Sequence, residues 1–477
     1  MKPANFLLPI LGLALMAGSP SDHAPDKLRP TAAFRAMEPR MLAALRSASK
    51  PFDRTRPDFS SLDATFQKAR IIGLGQETHG SREIFKAQAD LFAYLVEKHG
   101  VRVLLWEDSY GALAPLNDFV QGKAADMGDG AAQLMRPWRT QEVGDLFRWM
   151  RTWNQNHPQD SVELIGIDIQ DGHARTFRDI TAFLPEEERG RWADVLQRCQ
   201  AILNPSKDSE PIALDGLLQA LAGAEALNRR VEVLACARRN GDWLHPLLAA
   251  RCIVGALKFK TVEAYQDRAA LGKQMPVPSS GTLGELTRDS GMAMNVLAVL
   301  EARPAKKIAI FAHAGHVAKD GNVDASFSMG SMLARSFRNP DFPEDWKPEG
   351  SYCAVAMAPF TGSVLAISES AYRAAAKAGT RSEYKAHPLP PMVSHSLEGL
   401  LGRLGKGRDL IVDFHRTSGW LDLPMHSFLT GATMATEHES DPTVDAAFNY
   451  YVGAPARLYD AFILLNRTEA TRILDRF

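Results

Sequence analysis

Arg70-Ile71-Ile72-Gly73-Leu74-Gly75-Gln76-Glu77-Thr78-His79-Gly80-Ser81 runs from an apolar segment through two glycines into a compact polar group ending in His79-Gly80. Beyond it, Ile84, Phe85, Leu91, Phe92, Leu95 and Val96 recur on one face, which predicts a helix over 82–99 closed by Gly100. His79 therefore falls in a turn between a buried strand and a helix N-terminus. That is where an α/β protein holds reactive groups on a fixed but exposed backbone. The dipole of the helix disfavours protonation, so the expected His79 is neutral and able to accept a proton near pH 7.

Three more short apolar runs end the same way. Val101 to Trp106 leads to Glu107-Asp108-Ser109, Val162 to Ile167 leads to Asp168, and Lys307 to Ala312 leads to His313-Ala314-Gly315-His316. Strands joined through helices lie parallel, and their C-terminal ends line the sheet edge where ligands of open α/β sheets bind. The expected fold is α/β, a mainly parallel central sheet flanked by helices. Further strands are predicted at 352–358, 364–368, 410–414 and 459–465. From 176 to 302 leucine and alanine recur at helical spacing, which reads as a helical insertion or cap. Residues 29–66 read as mostly helical, and 387–391 as a loop.

The chain has 477 residues, 45% hydrophobic and 23% charged, with a formal net charge of −1. That balance suits a soluble globular protein and argues against nucleic acid or an anionic membrane as the main partner. Lys2, the apolar core Phe6 to Met16 and the small residues Ala17-Gly18-Ser19 make residues 1–19 a secretory signal, leaving 20–477 as one catalytic domain. The expected location is periplasmic or secreted. The core is too short to span a bilayer, and no later stretch is apolar enough. Four cysteines are too few for a disulfide scaffold; Cys236 and Cys252 could close a helical hairpin or remain free thiols.

The clustered residues suit proton transfer. A neutral His with a carboxylate on one ring nitrogen is a positioned general base, and a second His pair can polarise a carbonyl or orient a water. This reads as hydrolysis of an ester, lactone or similar acyl bond by activated water. His79 is the expected base and Glu107 its orienting or charge-stabilising partner. His313 and His316 act on the carbonyl or the water, and Glu77, Asp168, Arg288 and Trp138 bind substrate. Three of the last group have another reading: Trp138 as core, Asp168 as a cap, Arg288 as a solvated pair with Asp289. A metal-dependent hydrolase or peptidase could use the same cluster as ligands, since His313-x-x-His316 suits chelation; neither an H-E-x-x-H helix nor clustered cysteines are present, and no metal is assigned. The chain contains no G-x-S-x-G, G-x-G-x-x-G or G-x-x-x-x-G-K-[ST] segment, so neither a serine nucleophile nor a nucleotide cofactor is expected.

With these residues in place, the chain resembles the erythromycin esterase family. The matching segments are Gly75-Gln76-Glu77-Thr78-His79-Gly80 with Glu83, Glu107, Gly166-Ile167-Asp168, Arg288 to Asn295, Ala312-His313-Ala314-Gly315-His316-Val317, and Met329-Gly330 with Leu333. The resemblance implies an α/β fold with helical insertions and a metal-free hydrolysis of a macrolide lactone. The family's basic His corresponds to His79, its Glu to Glu107 and its paired histidines to His313 and His316. Three positions depart from the family pattern. Gln76 stands where the motif has Glu, with an acid instead at Glu77; Gln88 stands where the macrolide-opening esterases carry Arg; and Ala314 replaces the Asn between the histidines. They put macrolide specificity in question and admit a further reading, a family member that binds a small molecule without turning it over.

Overall fold

Ile71, Ile72 and Leu74 are fully buried, because the strand that carries them is covered on both faces. The computed structural model describes residues 29–205, 212–238, 242–272, 280–319, 327–338, 350–378, 380–417, 419–436 and 446–477. The signal segment expected at 1–19 lies outside them. The strands are β1 (Ser49–Phe52), β2 (Ala69–Gln76), β3 (Val101–Ser109), β4 (Glu163–Asp168), β5 (Lys307–His313), β6 (Ser351–Ser368), β7 (Lys385–Pro388), β8 (Asp409–Asp413), β9 (Met425–Phe428), β10 (Thr433–Met434), β11 (Tyr450–Gly453) and β12 (Ala461–Thr468).

The main sheet runs β1-β8-β12-β6-β2-β5-β3-β4, with β7 and β10 added on β6, while β9 and β11 form a separate pair. From β12 to β4 every neighbouring pair is parallel; β8 and β1 close the other edge antiparallel. Ile71, Ile308 and Ala354 face one core, while Ile72, Ala309 and Val355 face the other. Burial on both faces makes such strands read as continuous apolar runs. The α/β sheet expected from the four runs is present.

β5 inserts between β2 and β3 although it follows them in sequence by some two hundred residues, so the sheet's order switches there. Gln76 at the end of β2 pairs in register with His313 at the end of β5. Between β4 and β5 run the described helices Ala174–Phe183, Glu186–Leu203, Leu214–Ala237, Leu244–Gly272 and Ser280–Ala302. The last of these returns to the sheet edge and delivers Arg288. Among the described residues no helix is long and apolar enough to cross a membrane.

Several expectations need correction. Residues 351–368 form one strand instead of two, β1 interrupts the region read as helical, and His387-Pro388 belongs to β7. All four cysteines are free, with Cys236 exposed and Cys252 buried, so no hairpin disulfide forms. The Cys252 thiol instead points at the Asp168 carbonyl, 3.3 Å away.

Candidate functional site

β2 ends at Gln76 and the next helix, Arg82–His99, begins after Ser81, so His79 sits in the turn between them. The turn is fixed by its backbone. The Gly80 carbonyl accepts from the amides of Leu365 and Thr471, each at 2.9 Å. A Cβ on Gly80 would come 1.9 Å from the Leu365 carbonyl oxygen, so only glycine lets the turn lie this close to β6.

Successive side chains leave a strand on opposite faces. Gln76 follows Ile72 and Leu74 toward the helix Arg82–His99, and Glu77 goes the other way. Gln76 Nε2 lies 3.1 Å from His79 Nδ1, and Gln76 Oε1 accepts from Gln88 Nε2 at 2.7 Å. Gln88 Nε2 also donates to the Leu74 carbonyl at 2.8 Å. Two of the three departures from the family pattern, Gln76 and Gln88, therefore touch. A lost acid and a lost base fall together, so the charge of this corner does not change by one unit as the loss of a single carboxylate would require.

Glu77 is not the displaced partner of His79. It is fully buried beside Glu398, and burial followed by that neighbouring carboxyl pushes its pKa well up. Tyr451 and Tyr459 lie in the same surroundings. The substrate-binding role expected for Glu77 does not fit this placement.

Glu107 does converge with the histidines, but not as the orienting partner of His79. Its Oε1 accepts from Arg288 Nη2 at 2.7 Å and lies 3.3 Å from His316 Nε2, while its Oε2 accepts from the His313 amide at 2.6 Å. Burial opposes its charge, yet His316 and Arg288 overcome this and hold the carboxyl well below its usual range. Arg288 also donates from Nε and Nη2 to Asp168 Oδ2, at 3.0 and 2.6 Å. The other oxygen of Asp168 accepts from the Gln170 amide at 3.1 Å, so this residue caps its strand and joins the site at once. Arg288 is not a solvated partner of Asp289.

His316 is committed on both ring nitrogens. Nδ1 lies 2.9 Å from Asp289 Oδ1, and Nε2 lies 3.0 Å from Arg288 Nη1 as well as near Glu107. Burial opposes its protonation, but Asp289 and Glu107 raise its pKa well above the ordinary value.

His79 and His313 behave oppositely. Burial, with a small push from Arg288 and His316, lowers His79 to about 4 against the pull of Glu107. Burial and His79 lower His313 to about 3. Both rings are neutral at pH 7, with centroids 5.0 Å apart. The neutrality expected of His79 is present, but burial is the main cause, not the helix dipole.

Trp138 forms a wall. Its ring meets that of His79 edge-on at 4.8 Å, and its Nε1 donates to the Glu107 carbonyl at 3.0 Å. Asp108 holds the turn that carries it, accepting from the Met135 amide at 2.7 Å; burial pushes Asp108 up to about 8. Sequence reasoning missed three participants: Gln88 as a support, Asp289 as the partner of His316, and Thr430, whose carbonyl lies against the His313 ring and whose amide donates to the Glu77 backbone carbonyl. A glutamine on the apolar face of 82–99 was the available signal for Gln88. Nothing local marked the other two.

A parallel α/β sheet with histidines, carboxylates and one arginine gathered at the C-terminal ends of four adjacent strands defines the class of site: an open-sheet edge equipped for proton transfer. The erythromycin esterase family matches residues 96–468. The chain belongs to that family. The His79 turn lies just before the matched range. Erythromycin esterase type I of Escherichia coli is 24% identical over 173 residues, 36% of this chain and 38% of that enzyme. Type II, also from Escherichia coli, is 24% identical over 124 residues, 25% of this chain and 29% of that enzyme. The chain thus aligns with well under half the length of either. A Bacillus cereus protein of known crystal structure superposes with a TM-score of 0.73 at 17% identity, covering 92% of this chain and 99% of that one. An erythromycin esterase mutant in its open conformation superposes with a TM-score of 0.61 at 16% identity, covering 88% and 98%. These likenesses establish the fold.

Proposed function

We propose that the protein hydrolyses an ester or lactone with water activated between His79 and His313. The observation that carries this reading is the pair of neutral imidazoles 5.0 Å apart, backed by the Glu107–Arg288–His316 frame. Neutral rings exchange protons with water and leaving group, while the Glu107 carboxylate behind them favours positive charge that develops on either ring. Membership of the esterase family supports the same reaction class. Arg288 already supplies the positive charge against Glu107 and Asp168, which leaves those carboxylates little to offer a metal ion.

The test is a panel of small esters and lactones, macrolides included, run with and without a strong chelator. Chelator-resistant turnover that is lost in His79→Ala and in His313→Ala is the expected result. Turnover abolished by the chelator and restored by one metal would replace this reading with a metal-dependent one. Saturable binding without turnover of any compound would leave a binding protein.

A further inference from the structure

The chain Leu74–Gln88–Gln76–His79 has a direction. A carbonyl can only accept, so at the Leu74 end Gln88 must present its NH2 group. The second hydrogen of that group meets Gln76 Oε1 at 2.7 Å; the reverse orientation of Gln76 would set two donors against each other. Gln76 must then turn its own NH2 toward His79 Nδ1, 3.1 Å away. A neutral imidazole has one lone pair and one N–H. The lone pair of His79 is taken by Gln76.

From this we infer that Gln76 and Gln88 hold His79 in its Nε2–H tautomer, making it the hydrogen-bond donor to the substrate's carbonyl oxygen and leaving His313 as the general base. The role of base falls to His313 by elimination. His316 is engaged on both nitrogens, by Asp289 on one side and by Glu107 and Arg288 on the other, and Glu107 is pinned by Arg288, His316 and the His313 amide. Buried Nε2 of His313 has no hydrogen-bond partner among the described residues. The Thr430 carbonyl against the ring draws its one proton, so the other ring nitrogen keeps a lone pair. Glu107 favours the protonated form of His313 and so stabilises the state that proton abstraction creates.

The reaction balances with these two rings alone. Water's oxygen bonds to the acyl carbon as His313 takes its proton, and the carbonyl electron pair moves onto the oxygen held by His79 Nε2–H. On collapse the carbon–alkoxide bond breaks and protonated His313 returns its proton to the alkoxide. His79 stays neutral throughout. Gln76 and Gln88 are positioning residues, acting through His79.

The assignment rests on the ester-hydrolysis reading above, but its first test does not need a substrate. Long-range nitrogen–proton correlation spectra of protein labelled with 15N-histidine distinguish the two neutral tautomers, with His79→Gln identifying the resonance. Expected for the wild type at pH 7 is the Nε2–H pattern, switching to Nδ1–H in Gln76→Glu, whose carboxylate accepts from the ring. An Nδ1–H pattern in the wild type overturns the proposal. The second test compares glutamine variants on whichever ester is turned over. His79→Gln keeps an N–H donor near Nε2 and should lose about tenfold or less in kcat; His313→Gln should lose about 10²–10⁴-fold, the usual contribution of a general base. The opposite ranking overturns the division of roles. If the wild-type spectrum shows Nε2–H but no ester is cleaved, the tautomer stands and the hydrolase reading is what fails.

Discussion

Arg288 binds two carboxylates through one nitrogen, Glu107 at 2.7 Å and Asp168 at 2.6 Å, and both are almost wholly buried. Removing one partner of a buried ion pair leaves an uncompensated charge, typically at about 3–5 kcal/mol. Arg288→Ala should therefore lower the unfolding free energy by about that amount in denaturant titration, whereas Arg288→Met combined with Glu107→Gln should recover part of it. Equal loss in the single and double variants would show that the arginine acts through packing alone. The neutral rings make a separate prediction. His79 titrates near 4 and His313 near 3, below the usual 6.5, so protonation that ends catalysis comes late as pH falls. The acid limb of kcat/KM should lie at about pH 3–4 instead of 6.5. Stability moves in the same direction: the unfolded histidines bind protons below 6.5 while the folded ones do not, so stability present above 6.5 is lost as pH falls toward 4. A pH–rate profile with its acid limb at 6–7 would place an ordinary, solvated histidine in the rate-determining step.

At the scale of elements, the His79 turn depends on its fit to β6. Gly80 tolerates no side chain there, because a Cβ would overlap the Leu365 carbonyl oxygen. Gly80→Ala should cost about 1–3 kcal/mol, the usual range for overpacking, and should reduce turnover more than Gly190→Ala, whose added Cβ meets nothing within 4 Å. Thermal melts and initial rates on the same preparations check both. The glycine was visible in the sequence, but its reason was not, since Leu365 lies 285 positions away. The same contrast holds for the strands. β2, β3, β4 and β5 were legible because burial on both faces writes a continuous apolar run. Pro359 and Gly362 interrupt the apolar pattern of β6, so the sequence alone shows two strands there. It continues because β12 pairs straight across both, Leu465 with Pro359 and Thr468 with Gly362, and Gly362 adopts φ +111°. β7, β9, β10 and β11 are four residues or fewer, too short for a two-residue period to show. In the site, convergence of His79, Glu107, His313 and His316 followed from parallel strands. Pairings across 120 and 181 residues, Arg288 with Asp168 and with Glu107, had no local signature.

Across the whole molecule, the site is assembled from both ends of the domain and tied by its last residues. After β12 the chain crosses the mouth of the sheet edge. Ala470 donates to Ser363 Oγ at 3.0 Å, and Thr471 donates from its amide to the Gly80 carbonyl at 2.9 Å. The Thr471 hydroxyl donates to Glu142 at 2.9 Å, and the Leu474 amide to the Arg139 carbonyl at 2.7 Å. Phe477 then packs against Phe147, with ring centroids 6.2 Å apart. One segment thus clamps the His79 turn and the Trp138 turn, the two walls whose rings meet at 4.8 Å. Deleting residues 470–477 removes these four hydrogen bonds, worth about 0.5–1.5 kcal/mol each, so a loss of about 2–6 kcal/mol is expected before the aromatic contact is added. The main sheet is untouched by the deletion, so the shortened protein should still unfold cooperatively in denaturant. Its kcat should fall further than its stability under assay conditions accounts for, because both rings lose their alignment while Glu107, Arg288 and His316 keep theirs. Unchanged kcat in a folded, truncated protein would mean that Leu365 alone is enough to hold the His79 turn.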